Sequence, residues 1–251
     1  MKGVRMKIVL VTGGSKGIGL ETVKTFVSKG YKVITCARSI ATWHEVLVTN
    51  PNLSGVDFQA VDLSDKKQID NLFAHVSAVY ERLDIAINNA SPKIESEGIF
   101  SEVSVDDLYN TLINDFWSHT LCLKHELQLM SKGASIVNIS SINGIRPAPN
   151  AAMYSASKHG LEGLTHSVAL EAIKDGIRIN SVAPGVTWTP RWEERQASNN
   201  PNIRSEVESA VPMGRFAETA EVVNAIDWLS SEKASYVVGH TLVVDGGLSL
   251  A

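Results

Sequence analysis

Short runs of aliphatic and β-branched residues recur along the chain, separated by longer stretches in which apolar residues stand three and four apart. The runs cover residues 7–12, 32–36, 56–61, 84–87, 135–139, 178–182 and 241–244, and each predicts a strand. Between them, Ile69, Leu72, Phe73, Val76 and Tyr80 mark one helical face, and Val222, Val223, Ile226 and Leu229 another, with Thr219 as its predicted N-cap. Strand and helix alternate from one end of the chain to the other. That pattern predicts an α/β, doubly wound architecture in which seven parallel strands are flanked by helices, with residues 1–251 forming one domain.

No repeat of fixed period and no Pro/Ser/Gly-rich linker divides the chain. One stretch, 186–213, reads as irregular, since Pro190, Pro201 and Pro212 interrupt it and Asn199, Asn200 and Asn202 sit at its centre. A long excursion of this kind suggests a lid on the substrate side. The 251 residues are 44% hydrophobic and 20% charged, enough apolar surface for a core. The net charge of −4, with no Lys/Arg stripe, argues against nucleic acid as the main partner. No apolar run approaches the ~20 residues of a membrane span, and no extended apolar region follows the charged start, so a cytoplasmic location is expected. Cys36 and Cys122 lack the paired spacing of a zinc site, and the seven histidines include no H-E-x-x-H pair, so no metal is expected.

Directly after the first strand come Thr12, Gly13, Gly14, Ser15, Lys16, Gly17, Ile18 and Gly19, followed by a helical pattern. Glycines at a βα junction let the backbone turn tightly and approach a pyrophosphate at a helix N-terminus, which predicts an anion site of the dinucleotide-binding, Rossmann kind. The spacing is G-x-x-x-G-x-G, and further motifs follow in order: Asp62-Leu63, Asn88-Asn89-Ala90, Asn114, Ser141, Tyr154 with Lys158, Pro184-Gly185 with Thr189, and Asp245-Gly246-Gly247. In this series the chain resembles the short-chain dehydrogenase/reductase family from residue 7 onward.

The tip of the second strand reads Thr35, Cys36, Ala37, Arg38, Ser39 and lacks the carboxylate that would accept from the adenosine ribose hydroxyls. Arg38 offers a planar fork of donors and Lys16 a second positive charge, which favours the 2′-phosphate of NADP(H). The resemblance implies the same preference. It also implies that the cofactor meets Gly13, Ser15, Lys16, Gly17, Ile18 and Gly19, that Asp62 and Leu63 meet the adenine edge, and that Asn88, Asn89 and Ala90 line the adenosine side. Pro184, Gly185 and Thr187 would lie near the nicotinamide, and Thr189 near the pyrophosphate. The family usually continues Asn-Asn-Ala with Gly, whereas Ser91 and Pro92 stand here.

Tyr154 and Lys158 are spaced i, i+4, so phenol and ammonium share one helical face and can work as a pair. A tyrosine that serves as a base near neutrality needs its pKa brought down from about 10 by roughly 3, or about 4 kcal/mol. One ammonium ~4 Å away at an effective dielectric of ~20 supplies about that much before desolvation opposes it, so lysine alone is marginal. In the reductive direction the phenol donates its proton to a developing alkoxide. Ser141 would hydrogen-bond the same oxygen, Asn114 would support a water leading to Lys158, and Tyr154 and Lys158 would also touch the cofactor; these roles are implied by the resemblance. Trp117, Trp188 and Trp192 either line a substrate pocket or pack within the protein.

The expected function is hydride transfer between NADP(H) and a carbonyl or secondary alcohol. The alternatives are reduction of a 3-oxoacyl thioester on an acyl carrier protein, and a non-catalytic NADP(H)-sensing role. The resemblance further implies a homotetramer.

Overall fold

The computed structural model describes residues 5–198 and 201–251. The chain start and Asn199 and Asn200 lie outside the described residues. Seven strands, β1 (Ile8–Thr12), β2 (Lys32–Ala37), β3 (Asp57–Ala60), β4 (Leu83–Asn88), β5 (Met130–Ile139), β6 (Arg178–Pro184) and β7 (Thr241–Val244), form one parallel sheet in the order β3-β2-β1-β4-β5-β6-β7. Each overlaps a sequence-predicted run, although β5 begins at Met130, well before the predicted start at Ser135. β3, an edge strand paired only with β2, is one residue shorter at each end than predicted.

The helices are α1 (Gly17–Ser28), α2 (Ile40–Thr49), α3 (Lys66–Tyr80), α4 (Val105–Leu112), α5 (Ser118–Leu129), α6 (Ala152–Ala172), α7 (Pro190–Ser198), α8 (Ile203–Ala210) and α9 (Thr219–Ser230). A π-helical turn, Ile113–Trp117, joins α4 to α5 without a break. All five residues of β1 are buried, as a central parallel strand covered on both faces requires. Its side chains alternate: Ile8 and Leu10 pack with Ile69, Leu72 and Phe73 of α3, while Val9 and Val11 pack with Val23 and Phe26 of α1 and Val222 and Ile226 of α9. No helix of the described residues is long and apolar enough to cross a membrane.

From β1 the chain winds outward through β2 and β3, then returns to place β4 on the other side of β1. This reversal opens a crevice at the C-terminal ends of β1 and β4.

Two local expectations are corrected. The N-cap of α9 is Glu218, whose N–H donates to Glu221 Oε2 at 2.8 Å, and Thr219 is the first helical residue. A Glu three positions into a helix reaches back to the cap N–H, so it selects Glu218 over Thr219. The 186–213 stretch is also largely helical rather than irregular: Pro190 opens α7, where a missing N–H and a fixed φ cost nothing, and Pro212 falls just beyond the end of α8.

Candidate active site

The glycine turn is built by its neighbours. Thr12 Oγ1 accepts from the N–H groups of Asn89 (3.0 Å) and Ala90 (3.1 Å), while Asn89 Nδ2 donates to the carbonyls of Thr12 (3.0 Å) and Gly13 (3.3 Å). Gly13 has φ +72°, and a Cβ there would lie 2.9 Å from Ala90 Cα; a Cβ on Gly19 would lie 2.2 Å from the Gly13 carbonyl oxygen. Only glycine permits this closeness. Lys16, at the N-cap of α1, makes no side-chain cap hydrogen bond, so the first N–H groups of the helix keep their capacity for an anion. The turn therefore fits a pyrophosphate.

The register Thr12↔Cys36 places the tip of β2, and so Arg38, beside this turn. Arg38 and Lys16 are both exposed, and Lys16 Nζ stands 3.9 Å from Glu194 of α7, a solvated pair of little energetic weight. Asp62 follows β3. Its Oδ1 accepts from Ser64 N (2.9 Å) and Ser64 Oγ (2.8 Å), bracing the approach to α3, whose N-cap is Asp65. Leu63 packs against the core. Cys36 and Cys122 are free and buried, and burial pushes the Cys36 thiol up to about 12.

On the other side of the crevice, the C-terminal end of β6 carries Pro184, and Gly185 donates its N–H to the Val244 carbonyl at 2.9 Å. A Cβ on Gly185 would lie 2.8 Å from Asp245, whose carboxylate accepts from Gly247 N (2.9 Å) and Ser249 N (2.7 Å). Thr187 is buried and bridges to Ala217. Thr189 closes on the glycine turn: a Cβ on Gly17 would lie 3.2 Å from its methyl group. Trp188 and Trp192 both meet Phe216 edge-on at 5.1 Å, with Arg204 over Trp188 at 4.4 Å and Arg195 over Trp192 at 4.9 Å. The two rings thus pack the start of α7 against the segment after α8, with Arg204 of α8 on Trp188, whereas Trp117 is exposed at the end of the π turn.

Tyr154 and Lys158 lie on α6, both buried. Lys158 Nζ donates to the Ile139 carbonyl at 3.2 Å at the end of β5, and stands 5.7 Å from the centre of the Tyr154 ring. The Ser141 and Ser91 hydroxyls lie close enough to the Tyr154 hydroxyl to favour its ionised form. Ser141 is fixed in turn, its Oγ accepting from Asn143 N at 3.1 Å. Burial, then Asp115, pushes Tyr154 up to about 12, against the opposing pull of Arg191 and the two serine hydroxyls. Burial also pushes Lys158 down, with Asp115 resisting and Arg191 adding to the fall. In the protein by itself Tyr154 is accordingly a phenol, the form that donates a proton.

Four residues at this centre were missed by sequence reasoning. Lys158 Nζ lies 3.6 Å from Asp115 Oδ1, and both side chains are 1% exposed. Ser91 Oγ donates to Asp115 Oδ1 at 2.6 Å. Arg191 of α7 donates through Nη2 to the carbonyls of Ser91 (2.6 Å) and Pro92 (2.8 Å). His119 is buried with Nε2 2.8 Å from the Ala90 carbonyl, and burial followed by Lys158 pushes it down to about 3, so it is neutral there. Asn114 is half-buried and its carbonyl accepts from Ser118 Oγ at 2.7 Å; it is the neighbouring Asp115 whose side chain meets Lys158. The available signal was periodicity: Asp115, His119, Cys122 and Glu126 form one polar helical stripe that is buried.

Comparison with known proteins points one way. A family model described as enoyl-(acyl carrier protein) reductase matches residues 13–249. A short chain dehydrogenase/reductase of Aspergillus oryzae is 34% identical over 97% of this chain and 95% of its own length. A 3beta-hydroxysteroid dehydrogenase of Eggerthella lenta is 35% identical over 97% of this chain and 94% of its own. Among solved structures, ElxO with NADP bound superposes with a TM-score of 0.91 at 29% identity, covering 98% of this chain and all of that one. The aldohexose dehydrogenase of Thermoplasma acidophilum gives 0.87 at 30% identity, over 98% of this chain and 95% of that one.

Proposed function

This chain belongs to the short-chain dehydrogenase/reductase family, and from that premise we propose that Tyr154, Lys158 and Ser141 are the residues with which it interconverts a carbonyl and a secondary alcohol, using NADP(H). The observation that carries the reading is the buried Tyr154–Lys158 pair joined to the glycine turn by one short segment. Asn89 grips the turn, and Ser91, two residues on, donates to Asp115 beside Lys158.

Gly13, Gly17, Gly19 and the first N–H groups of α1 would hold the pyrophosphate, with Ser15, Ile18 and Thr189 around it. Arg38 and Lys16 would take the 2′-phosphate, Asp62, Leu63, Asn89 and Ala90 the adenosine side, and Pro184, Gly185 and Thr187 the nicotinamide side. When bound, NADPH supplies the hydride. Tyr154 gives its proton to the oxygen that becomes the alkoxide, and Ser141 donates a hydrogen bond to the same oxygen. The Lys158 ammonium and the Ser91 hydroxyl stabilise the phenolate left behind. Asn114 contributes its backbone to the lysine's surroundings. α7 and α8, linked where Arg204 of α8 lies over Trp188, act as the lid.

We further infer a cytoplasmic homo-oligomer, a tetramer by family likeness. The exposed Ile99, Phe100, Val105, Tyr109 and Trp117 around α4 supply apolar surface for a twofold contact. Sedimentation measures the assembly directly.

The deciding experiment follows NADPH oxidation over a panel of ketones, quinones and 3-oxoacyl thioesters, with NADH in parallel, in the wild type and Tyr154→Phe. Turnover with at least one carbonyl is expected, nearly abolished in the variant while NADPH affinity is kept. Retained turnover removes Tyr154 from its role. NADPH binding with no substrate-dependent oxidation would favour the sensing alternative.

A further inference from the structure

The reaction as proposed makes no use of a carboxylate, yet one is buried at its centre. Asp115 is 1% exposed, and charges removed this far from water persist only with partners. Its partners are the two groups that flank the catalytic phenol: the Lys158 ammonium at 3.6 Å and the Ser91 hydroxyl at 2.6 Å, both on Oδ1. We propose that Asp115 is a positioning residue for Tyr154, acting through Ser91 and Lys158 to hold the phenol protonated and so to bias the site toward carbonyl reduction. The proposal rests on the catalytic role of Tyr154.

Three effects of Asp115 have the same sign. Its negative charge opposes a phenolate directly. It balances the Lys158 ammonium, weakening the attraction that would otherwise favour the phenolate. It also takes the Ser91 hydrogen: a hydroxyl has one proton, and while Ser91 donates it to Asp115 it has none to give a phenolate. Once the phenol has lost its proton, Ser91 must turn its hydrogen from the carboxylate to the phenolate. Ser91 is thus shared between two acceptors, and Asp115 competes for it.

The other groups facing this pair do not duplicate the effect. Arg191 of α7 favours the phenolate, and Ser141 offers it a hydrogen bond. Glu162, on α6, acts on Lys158 but is engaged by Ser181 Oγ at 2.7 Å. His119 of α5 is neutral. The sequence carries both groups, Ser91 just after Asn88-Asn89-Ala90 and an acid immediately after Asn114.

The test reads Tyr154 ionisation by NMR of isotope-labelled tyrosine, in protein saturated with NADP+, with the resonance assigned by Tyr154→Phe. In Asp115→Asn the midpoint should fall by about one pH unit or more. In Ser91→Ala, which keeps the carboxylate but removes the donor to the phenolate, it should rise. The pH profile of kcat/KM for alcohol oxidation should follow each shift. A structural role alone would not move the two variants in opposite directions. An unchanged midpoint in Asp115→Asn, or shifts of the same sign, overturns the proposal. Should Asp115→Asn fail to fold, an unmoved or lowered midpoint in Ser91→Ala overturns it. Turnover retained by Tyr154→Phe would remove the catalytic reading instead, and is seen separately from the titration.

Discussion

Glu126 offers a test of the buried electrostatics that needs no substrate. It lies on α5, fully buried, with Oε2 accepting from Asn88 Nδ2 at 2.9 Å and Oε1 without a partner among the described residues. Burial pushes its carboxyl from 4.5 up to about 8, with the Asn88 hydrogen bond opposing only in part. Between those two pH values the folded chain keeps a proton that the unfolded chain has released. Stability therefore falls as pH rises through the interval, is undiminished below 4.5, and stops falling above about 8. At about 1.4 kcal/mol per pH unit the full loss is on the order of 5 kcal/mol, of which about 3 kcal/mol is already felt near neutrality. Glu126→Gln removes the titration and keeps the shape. Urea unfolding of both proteins at about pH 5 and about pH 8 should show the variant gaining several kcal/mol on the wild type as pH rises, and near neutrality its Tm should be higher by roughly 6–12 °C. A difference between the two that stays constant with pH would show that Glu126 carries no such burden.

The glycine turn and its cations give two further predictions. Arg38→Ala should reduce the preference for NADPH over NADH by roughly ten- to a hundredfold, the worth of a charge-assisted bond of about 1.5–3 kcal/mol, as read from the two kcat/KM values; an unchanged ratio would refute the assignment. Gly19→Ala would bring a methyl to 2.2 Å from the Gly13 carbonyl oxygen, a backbone atom that cannot swing aside. It should lower stability by roughly 1–3 kcal/mol in thermal unfolding and abolish NADPH binding followed by fluorescence; near wild-type binding would refute the need for glycine at this position.

The sheet was legible because parallel strands buried on both faces leave unbroken aliphatic runs, as in Ile8–Thr12. The pairing of Tyr154 with Lys158 was legible because it is local, four residues apart on one helix. What the sequence concealed was of the opposite kind. Ser91, Asp115 and Arg191 come from a loop, a π turn and α7, and nothing in their spacing brings them together; tertiary packing alone does. The helices within 186–213 were obscured by prolines, which punctuate a chain as readily by opening a helix as by ending one. Thr219 lost the cap to Glu218 because the reciprocal bond from Glu221 outweighs the general ranking of capping residues.

The π turn at Ile113–Trp117 carries a length constraint as well as a side chain. It accommodates one residue more than an α-helix would over the same rise, and each residue in a helix advances the azimuth by about 100°. A one-residue deletion elsewhere between Val105 and Leu129 would turn everything beyond it by that angle, whereas one inside the π turn removes the extra residue and leaves the winding of α5 in register. After a deletion in α5 ahead of them, His119, Cys122 and Glu126 would swing from the interior toward water and exposed positions would swing in. The continuous helix from α4 to α5 should accordingly resist a change in residue number everywhere except in this turn, where the loss would fall on the placement of Asp115 instead.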